Sequence, residues 1–361
     1  MRRIDRDDAG AVAVIVAILM VALLGFGVLV VDVGQAYAER RQLQNGADAA
    51  ALSLAIDCPN PAVRCAGGGP AATALANGNA LDNAATITEV CGTGPGLTPC
   101  SPASGIGPWD CRAVSGGLAP FPYVQVRTET RLAGGGNLLP PLLSRVLVPG
   151  YTGTNVRACA RASWGPPASL TSQLPITISK CEFQQYTSAG LVPPPPYSSG
   201  YPTERIIYFH NNTDDAPPCP AGPSGSDLPG GFGWLRTPED CVATTDTTNW
   251  VQDSTGVPPP SSCSNAELLA MRGQIVNIPI FDRTNGLNGA NGEYHIAGFA
   301  AFYLTGYRFP SANAPSIVSG VRPCGGPDHC ISGFFTTDPT PSGGTIGSGP
   351  SLGSTVVQMS G

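Results

Sequence analysis

The chain has 361 residues, and glycine and proline, with 46 and 37 copies, make up nearly a quarter of it. At this content, turns and short strands are expected to dominate over helix. Only 12% of the residues are charged and the formal net charge is −6. Such a chain lacks the basic surface with which proteins hold nucleic acid, so we expect no nucleic-acid partner.

The first predicted element is an apolar helix near the N-terminus. Residues Ala11 to Val31 form an uninterrupted run of 21 uncharged residues. As a helix this run would measure roughly 31 Å at about 1.5 Å per residue, which matches a bilayer core of about 30 Å. We therefore predict one transmembrane crossing at 11–31, with residues 1–10 in the cytoplasm and the lipid bilayer as a partner.

A secretory signal peptide is the main alternative for this segment. Ala36-Tyr37-Ala38 satisfies the small-x-small rule for cleavage. However, the apolar region of a signal peptide usually spans about 7 to 15 residues, which is shorter than this run. The preceding residues also mix both charges, with Arg2, Arg3 and Arg6 among Asp5, Asp7 and Asp8. We interpret the segment as an uncleaved anchor.

The helix is predicted to continue beyond the membrane as a stalk over 32–57. The stretch from Gln35 to Ile56 contains no proline and many strong helix formers, until Pro59 ends it. Spacings of four, three and four place four apolar residues on one side, here called the inner face: Leu43, Ala47, Ala50 and Leu54. This face is suited to packing either on the protein's own ectodomain or on a neighbouring helix.

The order of short motifs along this helix points to a family. Gly10-Ala11-Val12-Ala13 begins the apolar run, Val31-Asp32-Val33-Gly34 ends it, and Arg40-Arg41, Leu43-Gln44 and Ala47-Asp48-Ala49-Ala50-Ala51-Leu52 follow. This order resembles the N-terminal domain of TadE/TadG-like proteins of the Flp (tight adherence) pilus assembly system, over residues 10–56. The resemblance implies a membrane-anchored, minor pilin-like structural or assembly component whose partners are other pilus or pilus-assembly membrane proteins.

The same resemblance separates this chain from cleaved prepilins. Those carry a glutamate five residues after the cut, where this chain has Ile15. We hypothesise an assembly interface along the helix, formed by Asp32, Gly34, Leu43, Gln44, Ala47, Asp48, Ala50 and Leu54. Asp32, at the membrane boundary, would find a cationic or hydrogen-bonding partner on a neighbouring helix, or else remain a solvated boundary residue.

The cysteines fix the side of the membrane. All 12 follow the apolar run, and no two have the Cys-x-x-Cys spacing of zinc ribbons and thioredoxins. An even number in loop-rich sequence indicates disulfides in an oxidising compartment, which places the ectodomain outside the cytoplasm. The close pairs Cys58 with Cys65 and Cys324 with Cys330 are candidate disulfides.

The remaining sequence predicts an α+β fold, in which the long helix precedes a mostly β and irregular, disulfide-rich extracytoplasmic domain over 58–338. A short helix is expected within 71–83 and strands at 123–132 and 154–164, with Val124, Val126, Thr128 and Thr130 on one face of the first strand. Two apolar segments at 275–281 and 294–307, joined by Asn-Gly pairs, predict a central hairpin. We expect a subdivision near 190–200, where Pro193 to Pro196 lie, and a flexible tail over 339–361.

Chemical motifs are weak throughout. Gly349-Pro350-Ser351-Leu352-Gly353 matches a hydrolase nucleophile elbow, but it lies in the expected tail and no histidine follows it. The three histidines, His210, His295 and His329, have no partner at zinc-binding spacing.

The sequence offers candidate residues for two further classes of ligand. Asp282, Asn285, Asn288, Asn291 and Glu293 could offer oxygens to Ca²⁺, although turn formation already explains the asparagines. The middle region is rich in aromatic residues, which either plug small cores or contact a surface ligand: Tyr186, Tyr197, Tyr201, Tyr208, Phe232, Trp234 and Trp250. We expect no enzymatic activity, cofactor or metal, and keep a surface-anchored adhesin outside any pilus as the alternative function.

Overall fold

The computed structural model describes most of the chain, in segments at 6–59, 65, 69–101, 111, 116–132, 134–146, 148–209, 219, 233–237, 240–254, 258–287, 291–340 and 343–361. These residues form two compact units. Unit one takes the described residues within 1–58, 63–163 and 359–361, and unit two takes those within 59–62 and 164–358. The helices and the mostly β remainder confirm the predicted α+β class.

Unit one is built on a single long helix, α1, which runs from Arg6 to Asp57. It contains the predicted span and its predicted continuation without a break. The last turn closes when the Cys58 N–H donates to the Leu54 carbonyl at 2.9 Å, and Pro59 cannot extend the hydrogen-bond ladder.

A short helix and a sheet complete unit one. Their bounds are α2 Pro70–Gly78, β1 Ala85–Gly92, β2 Tyr123–Thr130 and β3 Arg157–Gly165, with 3₁₀ turns at Gly116–Leu118 and Ser144–Val146. β2 pairs antiparallel with both β1 and β3. The predicted face of β2 is confirmed, because Val124, Val126, Thr128 and Thr130 are all buried. Gln125 is buried as well, and its side chain accepts a hydrogen bond from Arg161.

Unit two consists mainly of strands. Its elements are β4 Pro167–Ser172, β5 Ile178–Ser179, α3 Lys180–Tyr186, β6 Arg205–Phe209, β7 Ala243–Asp246, β8 Trp250–Gln252, α4 Asn265–Met271, β9 Ile275–Thr284, β10 Glu293–Arg308, β11 Asn313–Ala314, β12 His329–Thr336, β13 Asp338–Thr340, β14 Gly344–Ile346 and β15 Ser354–Met359. One sheet has the order β5-β9-β10-β12-β6, with β8 and β11 paired to β10, and a second has the order β14-β4-β7.

The β9–β10 hairpin is the centre of the main sheet, as the two apolar segments predicted. Phe299, Phe302 and Leu304 of β10 are buried almost completely. At the turn, Gly286 has a φ of +77°, a conformation that glycine adopts without strain, and the Asn285 side chain donates to the Asn291 carbonyl at 2.8 Å. Asn288 lies outside the described residues.

Two predicted boundaries differ from the structure. The units divide after Ser163, not near 190–200, because β4 pairs with β7 and β5 pairs with β9 inside unit two. The segment after Asp338 is not a flexible tail in its described part, since β13, β14 and β15 lie there. Val356 and Val357 are fully buried, so burial of two valines orders a segment whose composition is otherwise polar.

All twelve cysteines form disulfides. The two predicted pairs, Cys58 with Cys65 and Cys324 with Cys330, are confirmed. The other four bonds join Cys91 to Cys100, Cys111 to Cys159, Cys181 to Cys219 and Cys241 to Cys263. Three of these four bonds attach a residue outside the helices and strands to a residue within one, namely Cys91 of β1, Cys159 of β3 and Cys181 of α3.

Candidate functional site

The exposure of α1 changes along its length. From Val12 to Val31 no described side chain is buried, and large apolar groups such as Val21 and Leu23 are 72% and 70% exposed. Among the described residues, α1 is the one helix long and apolar enough to cross a membrane. Exposure of so many large apolar groups is unfavourable in water and favourable in hydrocarbon, so this half of α1 is a candidate membrane span.

The inner face packs within unit one. Leu43, Ala47, Ala50 and Leu54 are between 0% and 6% exposed. Gly46 lies on the same side, where a Cβ atom would come within 3.0 Å of the Ala76 carbonyl oxygen of α2. The structure thus adopts the intramolecular alternative for these four residues of the hypothesised interface, and their role in assembly stays a prediction.

Gln44 and Asp48, also in the hypothesised interface, connect α1 to the sheet. The Gln44 amide donates to the Asp48 carboxylate at 2.8 Å and to the Cys159 carbonyl of β3 at 2.9 Å. Burial raises the pKa of Asp48, and the Gln44 bond opposes that rise. The Thr128 hydroxyl of β2 donates to the Leu43 carbonyl at 3.0 Å. These bonds fix the rotation of the helix on unit one.

Asp32 makes its contacts within its own chain. Its Oδ1 accepts from the backbone N–H groups of Leu142 and Leu143 at 2.9 and 3.1 Å, and its Oδ2 accepts from that of Ser144 at 2.7 Å. The Ser144 side chain beside the carboxylate, together with these three donors, holds the pKa of Asp32 below its ordinary value. Asp32 therefore caps the 3₁₀ turn at Ser144–Val146 and attaches it to the end of the span.

Gly34 belongs to an exposed side of α1 that the sequence analysis did not single out. The inner face and the exposed side are opposite each other, and we call the latter the outer stripe: Val33, Gly34, Tyr37, Ala38, Arg41 and Asn45. The Arg41 guanidinium lies 4.6 Å from the centre of the Tyr37 ring and donates to its hydroxyl at 3.0 Å. The sequence signal for this side is that its members Val33, Tyr37, Arg41 and Asn45 recur every four residues, which places them on one side of a helix.

In the outer stripe, Tyr37 and Arg41 carry the largest side chains, and Gly34 and Ala38 are small. A Cβ atom on Gly34 would meet nothing within 4 Å, and Ala38 adds only a methyl group. Small residues let a second helix approach closely, while the guanidinium and phenol supply polar contacts at the interface level. Chemically this surface is suited to packing against another helix at the outer edge of a membrane.

The described candidate ligands elsewhere contact neighbouring side chains or lie apart from one another. His295 contacts Asp282 at 2.7 Å through Nδ1 and Arg283 at 2.9 Å through Nε2. Burial lowers the pKa of His329, and His210 lies outside the described residues. The described part of the chain contains no group of three or more His, Cys, Asp or Glu side chains able to hold a metal ion. Ser351 of the elbow-like motif is exposed just before β15.

The aromatic side chains of unit two divide between core and surface. Trp234 is buried, and Tyr197 packs edge-to-face on Tyr303 and Phe334. Tyr186 and Tyr208 are half-buried, and Phe232 lies outside the described residues. Tyr201 and Trp250 are 46% and 42% exposed.

The comparisons with known proteins concern α1. A family model described as "Putative Flp pilus-assembly TadE/G-like" matches residues 10–55. No curated protein and no solved structure matches the chain. The match covers the candidate span, the outer stripe and the inner face, and it confirms the resemblance drawn from the N-terminal motifs.

Proposed function

We propose that this chain is a single-pass, membrane-anchored structural or assembly component of a Flp/Tad-type pilus. The observation that carries the proposal is the agreement between the family match at 10–55 and one continuous helix whose two halves have different surroundings. The apolar half is exposed and the second half is embedded in unit one. Such a helix anchors a folded ectodomain rigidly at a membrane surface.

The outer stripe is the proposed contact with other pilus or pilus-assembly membrane proteins. The inner face and Asp32 are occupied by unit one, so Gly34, Tyr37 and Arg41 present the free side of the helix just beyond the span. Close helix packing there would extend into the exposed span below it. The role proposed is therefore structural and not enzymatic.

We place the N-terminus in the cytoplasm and both units outside it. Six disulfides lie after the span, and disulfides persist in oxidising compartments. The orientation is tested with epitope tags at the two ends of the full chain. A tag after Gly361 should be accessible in intact spheroplasts, and a tag before Met1 only after permeabilisation; the reverse pattern contradicts the orientation.

The functional test compares stripe variants with a matched surface variant in cells that depend on this chain for piliation. Tyr37→Ala and Arg41→Ala should reduce surface pili and co-purification with other pilus components, with membrane insertion and disulfides unchanged. Arg131→Ala, a second exposed arginine of unit one, is the control and should behave like the parent. Parent-like piliation and co-purification of the stripe variants would overturn the proposed contact.

An adhesin outside any pilus remains the second candidate, and the exposed Tyr201 and Trp250 of unit two favour it. Aromatic rings at a surface bind glycans and protein partners. If Trp250→Ala abolishes attachment of cells while piliation is normal, the adhesin is the better account.

A further inference from the structure

The segment that Asp32 caps has an unusual surface. Leu142 and Val146 are 61% and 81% exposed, and Val148 is 55% exposed. Arg145, between them, is exposed and forms no ion pair with the described residues. Adjacent large apolar groups are rarely left in water by a folded unit, so these residues, 142–146 and 148, here called the capped segment, require a covering phase or partner.

The position of the segment identifies that phase. Leu143 and Val146 line an apolar groove together with Val21, Leu24, Val28 and Val31 of α1. These four helix residues lie one to eleven positions before Asp32, which corresponds to about 1.5 to 16 Å along a helix axis. The groove therefore runs along the half of the span that is nearest to unit one, over a depth close to one leaflet of a bilayer core of about 30 Å.

The ends of the segment match the chemistry of a membrane interface. Tyr151 is 38% exposed, and its N–H donates to the Val148 carbonyl at 3.2 Å, which turns the chain at this point. Tyrosine and arginine prefer the headgroup level, where an apolar body and a polar end are both accommodated. The exposed apolar groups of the capped segment are continuous with the exposed apolar surface of α1, because Leu143 and Val146 share the groove with it.

We propose that the capped segment is a second membrane contact, which inserts the side chains of Leu142, Val146 and Val148 into the outer leaflet and holds phospholipid acyl chains in the groove against α1. This inference rests on the membrane anchoring in the proposed function but on none of the pilus partners. Three backbone bonds to Asp32 set the depth of the segment, because they join it to the first residue after the span. Unit one is thereby held against the membrane at two points.

The test uses the full chain in nanodiscs of phosphatidylcholine and phosphatidylglycerol, with the photoreactive residue p-benzoylphenylalanine introduced at single positions. Val146 is the test position. Leu19, 56% exposed within the span, is the positive control. Leu81, 88% exposed in unit one, is the negative control, since its N–H donates to Gln42, ten helix positions or about 15 Å beyond Asp32.

After irradiation, intact mass is expected to increase by one phospholipid for the chains labelled at positions 146 and 19, and not for the chain labelled at 81. A lipid adduct at 19 without one at 146 overturns the second contact and leaves the anchor intact. A cross-linked protein dimer at 146 overturns it in favour of a protein partner. Absence of adducts at both 146 and 19 overturns the anchor as well. Unchanged disulfide mass in each variant establishes that unit one has folded.

Discussion

The Asp32 carboxylate accepts a hydrogen bond from the Ser144 backbone N–H at 2.7 Å, across 112 positions of the chain. The first residue after the candidate span thus holds a turn of unit one. The bond makes Asp32 a structural link within unit one, so a substitution at this position should affect the bonded turn.

Asp32→Ala should release the turn at 142–146. Without the carboxylate, three backbone N–H groups lose their acceptor, so their amide hydrogens should exchange faster. Hydrogen exchange with mass spectrometry in nanodiscs measures this directly. Asp82→Ala, which removes an acceptor from Ala84 in the same unit, is the control and should leave 142–144 protected. Unaltered protection in Asp32→Ala would contradict the capping role.

The same bond predicts a pH dependence. The pKa of Asp32 is lowered in the folded state, and the neighbouring Ser144 side chain is the main cause. The contribution of the ionised Asp32 carboxylate to the stability of the turn is therefore present above the ordinary pKa of 3.8. That contribution is lost as the pH falls through the lowered folded pKa. Protection of the 142–144 amides should therefore be constant from neutral pH down to about 5 and fall only under stronger acid, after correction for intrinsic exchange. Loss of protection between neutral pH and pH 5 would contradict the lowered pKa of Asp32.

Close packing of α1 on α2 predicts different outcomes at two glycines. Gly46→Leu must displace the Ala76 backbone, which lies 3.0 Å from the position of a new Cβ, and overpacking of this kind costs about 1 to 3 kcal/mol. Gly34→Leu meets nothing within 4 Å and should leave the melting temperature in detergent unchanged. Under the proposed function, Gly34→Leu should instead reduce association with pilus components. Equal melting temperatures for both variants would contradict the packing described.

Asp253 and Asp246 of unit two should respond to pH in opposite senses. Burial raises the pKa of Asp253 to about 7. Because its folded pKa exceeds the unfolded one, the group favours folding at low pH, and stability falls as the pH rises from about 4 to about 7. Asp253→Asn should therefore raise the melting temperature at pH 8 by a few degrees and raise it by less at pH 5.

Asp246 supplies the control for that experiment. Burial acts to raise the pKa of Asp246, but hydrogen bonds from Asn249 and Thr248 outweigh it and hold the pKa at about 2. A lowered pKa favours folding above the unfolded value, so Asp246→Asn should lower the melting temperature at pH 8. Calorimetry at pH 5 and pH 8 measures the melting temperatures of both variants. A loss of stability in Asp253→Asn at pH 8 would contradict the raised pKa of Asp253.

Complete pairing of the cysteines is tested by thiol labelling. The unreduced, denatured chain should take up no label, and the reduced chain should take up twelve. Replacing Cys111 and Cys159 together by serine opens a loop with a separation of 48 residues and should cost about 2 to 4 kcal/mol. Substantial labelling before reduction would contradict the six bonds.

Local patterns were sufficient for much of the fold. The uncharged run predicted the first half of α1, alternation predicted β2, and Asn-Gly pairs between apolar segments predicted the β9–β10 hairpin. Each of these signals lies within one continuous stretch of the chain. The close pairs Cys58–Cys65 and Cys324–Cys330 were predictable for the same reason, because a short loop brings its ends together.

Features set by distant partners could not be predicted in this way. Spacing placed Leu43, Ala47, Ala50 and Leu54 on one face but could not indicate that unit one covers it. The acceptor role of Asp32 depends on Ser144, and no local signal joins them. β15 is ordered because neighbouring residues bury Val356 and Val357, although the surrounding composition resembles a flexible tail. The outer stripe could not be predicted, because its exposure depends on the packing of the opposite face of α1 within unit one.

The central claim is that the free side of α1, just beyond the span, contacts another membrane protein of the pilus system. The most direct measurement is photo-cross-linking in living cells with p-benzoylphenylalanine at Tyr37, which is 55% exposed, and at Leu81 as the matched exposed control. The account predicts a cross-link from position 37 to a pilus or pilus-assembly membrane protein, identified by mass spectrometry, and none from position 81. Cross-links from position 37 that contain only lipid or match those from position 81 would contradict it.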